Sequence, residues 1–150
     1  MTETAKYRYD SDRQDYLTPP EFINGILEKF KRSEFDLDVC CTKKNIPAKE
    51  HYIYPEFDGL ELEWKKLNWC NPPFRYTPLW VKKAYEEQKK GHQTLMLIPA
   101  RTEMKYFHYY ILGNDMADIT FLRKGLRFLD PETNEPMGVY KNALALIYFV

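Results

Sequence analysis

The stretch 94–100 (TLMLIPA) carries no charge, and it constrains the fold of this chain more than any other segment. A continuous apolar run of that length is what a strand needs when both of its faces are covered. Helical patterns frame it. Residues 78–90 set Leu79, Val81, Ala84 and Tyr85 among charged neighbours and stop at Gly91, while residues 101–110 read as a following helix. Strands alternating with helices imply right-handed crossovers and a mainly parallel sheet with helices on both faces.

The rest of the chain extends this pattern. Thr18-Pro19-Pro20-Glu21 reads as a helix start, with Thr18 as N-cap and Glu21 as its capping-box partner. Phe22, Ile23, Ile26, Leu27 and Phe30 follow at helical spacing. Residues 35–41 (FDLDVCC) read as a strand with Asp36 and Asp38 on one face, 51–54 as a short strand, 67–70 as a strand, and 119–122 as another. Residues 125–129 and 143–150 flank a stretch rich in Pro, Asn, Glu and Gly, and read as an antiparallel hairpin closing the sheet. The expectation is a three-layer α/β domain over residues 16–150, preceded by a flexible tail at 1–15.

The length of 150 residues suits one domain, and 44% hydrophobic residues supply its core. The 22 basic and 22 acidic residues cancel, which argues against a general electrostatic grip on nucleic acid but leaves room for a local basic face. Three cysteines, two of them adjacent, make neither a disulfide framework nor a zinc pattern, so a reducing cytosol fits. No apolar run approaches the roughly 18 residues of a membrane span. His51, His92 and His108 show no ligand spacing, and no metal site is expected.

The strand at 67–70 runs into Asn71-Pro72-Pro73-Phe74. Two prolines stiffen the backbone and remove its N–H groups, so carbonyls are left to accept. Asn71 adds a side-chain acceptor and Phe74 an aromatic face. That set suits a flat ring bearing an exocyclic amine. A plain Pro-rich turn is the other reading. Placement favours the first, because ligands of open α/β sheets lie at the carboxyl ends of strands.

At this point the chain resembles the small phage-type DNA N6-adenine methyltransferases, relatives of Dam. The carriers, spread between Tyr16 and Val150, are Leu17-Thr18-Pro19-Pro20-Glu21, Phe35-Asp36-Leu37-Asp38-Val39-Cys40, Phe57-Asp58-Gly59-Leu60, Asn71-Pro72-Pro73-Phe74, Trp80, and Leu97-Ile98-Pro99-Ala100-Arg101-Thr102. The resemblance implies a Rossmann-like S-adenosylmethionine-dependent fold. It also implies methyl transfer to adenine N6 in DNA, by direct displacement on a flipped base, without metal or covalent enzyme intermediate. Asn71, Pro72, Pro73 and Phe74 match the family's catalytic motif. Thr18, Asp36, Asp38, Cys40 and Asp58 fall where cofactor contacts are expected.

Arg101, Lys105 and Arg123 are candidates for DNA contact, with Arg101 and Lys105 on one helix face; Arg123 reads equally as part of a solvated turn. A phage enzyme of this kind implies the host cytoplasm. One departure stands out. Residues 36–42 contain no glycine where many methyltransferases carry a glycine-rich loop. Two alternatives stay open: a methyltransferase of RNA bases or protein amides, and a catalytically inactive DNA- or protein-binding module on the same fold.

Overall fold

The computed structural model describes residues 16–150, so the expected tail at 1–15 lies outside the described residues. Six strands form one sheet: β1 (Phe35–Cys41), β2 (Ala48–Ile53), β3 (Leu67–Cys70), β4 (Gln93–Pro99), β5 (Ala117–Phe121) and β6 (Leu144–Phe149). Their order is β2-β1-β3-β4-β6-β5. β1 pairs in parallel with β2 and β3, and β3 with β4. β6 runs antiparallel to both of its neighbours, β4 and β5. The protein is a mixed α/β fold with a mixed sheet.

Helix α1 (Pro20–Lys29) covers one face of the sheet with Ile23, Ile26 and Leu27, and Pro20 stands at its first turn, where a missing N–H costs nothing. It ends in a Schellman motif. Arg32 N–H reaches Leu27 O (3.0 Å) and Lys31 N–H reaches Glu28 O (3.0 Å), with Lys31 at φ 54°. Helix α2 (Thr77–Gln88) covers the other face with Trp80, Val81 and Ala84. It closes the same way at Gly91, whose φ of 89° suits glycine. β4 and β6 alternate between the two layers: Met96, Ile98, Ala145, Ile147 and Phe149 join one apolar cluster, and Leu95, Leu97 and Leu144 the other.

Glu87, on α2, anchors the far end of the molecule. Its carboxylate is buried and accepts from Trp64 N–H (2.6 Å), His92 Nδ1 (3.0 Å) and Lys90 Nζ (2.8 Å). Burial pushes its pKa up, but those partners and Lys83 outweigh that and hold it at about 2.

Two expectations are corrected. The hairpin between 125–129 and 143–150 does not form. β6 is apolar toward both layers, as suits an interior strand, and it pairs on both edges with β4 and β5. Residues 126–129 pair instead with 137–140, through Met137 N–H to Phe128 O (2.8 Å) and Tyr140 N–H to Leu126 O (2.9 Å). The helix expected from residue 101 also starts late. Residues 102–104 form a turn and a bend, residues 105–106 are helical, and they lead into a π-helical segment, Phe107–Leu112.

The link between the parallel strands β1 and β2 is unusual. Such connections ordinarily run a dozen residues or more and contain a helix. Here residues 42–47 return without one, reaching the start of β1 through Phe35 N–H to Pro47 O (3.0 Å). Ile46 packs this return into the core.

Candidate active site

β1, β3 and β4 are parallel, so their carboxyl ends share one rim of the sheet. A cleft of about 400 Å³, partly open to solvent, lies on that rim. Its walls come from Leu17 and Thr18, from Asp38, Cys40 and Cys41 at the end of β1, from the return at 42–46, and from Trp69, Asn71 and Pro73. Residues 36–42, which contain no glycine, still supply Asp38, Cys40, Cys41 and Thr42 to the walls of this cleft. β1 continues through Cys41 with a register irregularity between Asp38 and Cys41, and the missing crossover helix leaves the space open.

Asn71 is held from one side. Its Nδ2 donates to Tyr16 O (3.2 Å) and to Thr18 Oγ1 (3.0 Å). A carbonyl can only accept, so the amide nitrogen must face residues 16–18 and Oδ1 must face away from them. This corrects the N-cap expectation for Thr18. Pro19 occupies the cap position of α1 without a side-chain bond, and the buried Thr18 hydroxyl serves Asn71 instead. With prolines at 19 and 20, two of the first backbone donors are absent, which leaves a capping hydroxyl with less to satisfy.

The two carbonyls after Pro72 are already committed. Pro73 O accepts from Tyr76 N–H (2.9 Å), and Phe74 O from the Thr77 hydroxyl (2.7 Å). Among the described residues, Pro72 O has no donor. A small pocket at this point is lined by Tyr16, Asn71, Pro72 and Phe74. Phe74 is half-buried and packs edge-on against Phe128 (5.8 Å between centroids, 70°) and Tyr140 (5.3 Å, 69°). Phe128 also meets Tyr16 at 6.1 Å. Beyond Phe74 lies a wider groove of about 920 Å³, open to solvent, lined by Arg75, Arg101, Tyr106, Tyr140 and Asn142 among others.

Asp38 is buried in the cleft and accepts from Cys40 N–H at 3.4 Å. Burial raises its pKa to about 7, against the lowering effect of hydrogen bonds from Cys40 and Cys41. Burial likewise pushes the Cys41 and Cys70 thiols upward, which favours their protonated, unreactive form; Cys41 lines the cleft and Cys70 does not.

Asp36 lies at the other end of β1, outside the cleft. It pairs with Arg32 (2.8 Å) and Lys49 (3.5 Å) and accepts from Leu67 N–H (2.9 Å). Burial raises its pKa, and these partners outweigh it and lower the value below the ordinary range. The shared strand face expected for Asp36 and Asp38 does not make a shared site. Asp58 is not a wall of the cleft either. Its Oδ1 accepts from Leu60 N–H (3.0 Å) and shapes the turn that brings Gly59 against Val39 O, where a Cβ would collide.

The basic candidates separate. Arg101 is exposed, pairs with Glu103 at 2.9 Å, and lines the groove beyond Phe74. Lys105 is exposed but is not a groove wall, and the shared helix face with Arg101 is absent because residue 101 precedes the helical turn. Arg123 is exposed in a bend after β5. Sequence reasoning passed over Tyr16, Asn45, Ile46, Trp69, Phe128 and Tyr140 as site residues. Among the described residues, no group of three His, Cys, Asp or Glu is placed to hold a metal ion, and no helix is long and apolar enough to cross a membrane.

The family model described as DNA N-6-adenine-methyltransferase (Dam) matches residues 6–150. The chain belongs to this family. Its Dam-family character extends to a curated relative, a DNA N-6-adenine-methyltransferase of Escherichia phage T1, with 30% identity over 100 residues. That alignment covers 65% of the Dam-family chain and 41% of the phage protein, so the chain matches well under half of the relative's length. A solved structure, the precorrin 8W decarboxylase of Methanobacterium thermoautotrophicum, aligns with 93% of the Dam-family chain and 67% of its own at 20% identity and a TM-score of 0.37.

Proposed function

We propose that residues 16–150 form a single Rossmann-like methyltransferase domain that transfers a methyl group from S-adenosylmethionine to adenine N6 in DNA. The observation that carries this reading is the pair of acceptors at Asn71 and Pro72. Asn71 Oδ1 is turned away from Tyr16 and Thr18, and Pro72 O has no donor among the described residues. They lie between a polar-and-apolar cleft and an aromatic groove.

The residues fit the cofactor. The cleft offers a hydroxyl at Thr18, a carboxyl at Asp38 and apolar walls at Leu17, Ile46 and Trp69. Thr18 accepts from Asn71 and keeps its own hydrogen to donate to a carboxylate. Asp38 would accept from an ammonium or ribose hydroxyl. When bound, S-adenosylmethionine supplies an electrophilic methyl group on a sulfonium.

The chain's own contribution is to shape the nucleophile. The exocyclic amine of adenine is a poor one because its lone pair is delocalised into the ring. Its two N–H groups match the Asn71 and Pro72 oxygens. Bonding both draws the nitrogen toward sp³ geometry and aims its lone pair at the cleft. The same oxygens bind more strongly as positive charge develops on nitrogen, so they lower the barrier rather than only the substrate's energy. Fixing the geometry in advance supplies the remainder. Phe74, held on edge by Phe128 and Tyr140, walls the base once it has left the stack.

Incubation with labelled S-adenosylmethionine and adenine-containing DNA, followed by nucleoside analysis, tests this. N6-methyladenine in DNA is the expected product. Label in RNA or protein alone overturns the acceptor, and failure to bind the cofactor overturns the reading.

A further inference from the structure

We infer that the groove beyond Phe74 receives the DNA strand flanking the extruded base, with Arg75 and Arg101 on its phosphates and Tyr140 against a neighbouring base. The inference rests on the function proposed above and adds where the rest of the strand lies. The groove shares Phe74 with the small pocket at Asn71 and Pro72, so a chain leaving that pocket enters it. Its walls are Phe74 and Arg75 of the 3₁₀ turn, the first residues of α2, the end of β4 with the segment after it, and residues 140 and 142.

Charge separates the two sides of the motif. The protein as a whole is neutral, so any attraction to a phosphodiester must be local. Among the described residues, the groove walls carry two guanidinium groups and no carboxylate, whereas the cleft on the other side of Asn71 carries Lys43 and Asp38 together. Glu103 pairs with Arg101 from outside the groove, and both partners are more than half exposed. An exposed pair of this kind contributes at most about 1 kcal/mol, so a phosphate can displace it. The Arg75 guanidinium lies 5.7 Å from the centroid of the Tyr76 ring. Tyr106, Tyr140 and Asn142 complete the lining with the mixture of ring faces and hydrogen-bonding groups that an unstacked strand requires.

The test is anisotropy of a fluorescein-labelled, adenine-containing 12-nucleotide DNA titrated with the protein at several salt concentrations. Arg75→Gln and Arg101→Gln each weaken binding about fivefold or more and lower the slope of log affinity against log salt by about 0.7. Tyr140→Ala weakens it about tenfold while Tyr140→Phe matches the parent. Lys82→Gln, exposed on α2, is the control and leaves binding unchanged. Parent-like affinity and slope in both arginine variants, or no binding by the parent, overturns the groove. The two proposals fail separately. Binding lost in the arginine variants without any N6-methyladenine from the parent sinks the activity and leaves the groove. N6-methyladenine with unaltered binding in those variants does the reverse.

Discussion

The Thr18 hydroxyl oxygen lies 3.0 Å from the Asn71 amide nitrogen, across 53 residues of sequence. With Tyr16 O at 3.2 Å, it decides which end of the carboxamide faces substrate. Thr18→Val removes that acceptor while keeping the side chain's shape. We expect kcat to fall about tenfold with KM for DNA little changed, because Tyr16 O alone then holds the amide, and cofactor affinity to weaken as well, because the same hydroxyl is the donor offered to the cofactor's carboxylate. Asn71→Ala removes the acceptor itself and abolishes transfer while isothermal titration still records cofactor binding. Retained turnover in Asn71→Ala ends the role assigned to this residue.

Phe74 belongs to a three-ring cluster with Phe128 and Tyr140, so its truncation has two effects. Phe74→Ala costs about 1–3 kcal/mol of stability, read from urea unfolding. It also weakens capture of the extruded base, read from a lost 2-aminopurine signal at the target. Phe74→Tyr keeps ring and edge contacts and retains both readouts. A Phe74→Ala protein with parental 2-aminopurine fluorescence contradicts the walling role.

Asp38 makes stability depend on pH in a defined direction. Its folded pKa of about 7 lies above the ordinary carboxyl value, because burial disfavours the charged form. Between about pH 4 and 7 the folded state therefore binds more protons than the unfolded one, and stability falls as pH rises through that window. Asp38→Asn has no such fall. The variant should equal the parent near pH 4 and exceed it at pH 8, with a melting temperature higher by about 2–4 °C for each kcal/mol. Its cofactor affinity should drop. Parallel pH–stability curves for the two proteins rule out this account of the burial.

Lys31 holds a left-handed φ of 54° at the end of α1, where glycine is the usual residue. Lys31→Gly relieves the Cβ clash, worth about 1–2 kcal/mol, against a glycine entropy cost of about 0.5–1 kcal/mol. The net expectation is a stabilisation of several tenths to about 1 kcal/mol in denaturant unfolding, with transfer unaffected. A destabilised variant would mean that the Lys31 side chain makes a contribution larger than the backbone strain.

Local patterns carried the parts of this molecule that local patterns control. β1 and β3 fall where their sequences place them, the apolar run at 94–100 is the central strand β4, and Gly91 ends α2. The Asn71–Phe74 turn stands on the rim formed by the carboxyl ends of the parallel strands because β3 ends at Cys70. What stayed hidden depends on distant partners. Phe128 and Tyr140 reach Phe74 from 54 and 66 residues away, the differences of those residue numbers, with nothing in their own neighbourhoods to mark them. The Thr-Pro-Pro-Glu cap failed because Asn71 claims the hydroxyl. Asp36 and Asp38 look alike on a strand, yet one meets Arg32 and Lys49 and the other is buried with only Cys40 and Cys41 as its hydrogen-bond partners.

The place of β6 bears on how this protein is made. It is inserted between β4 and β5, and its residues 144–149 bridge strands that were synthesised well before it. During translation the outer edge of β4 and the inner edge of β5 stay open until residue 149 has cleared the ribosome. Until β6 arrives, those two edges present unpaired backbone N–H and C=O groups, the template through which one chain can pair with another.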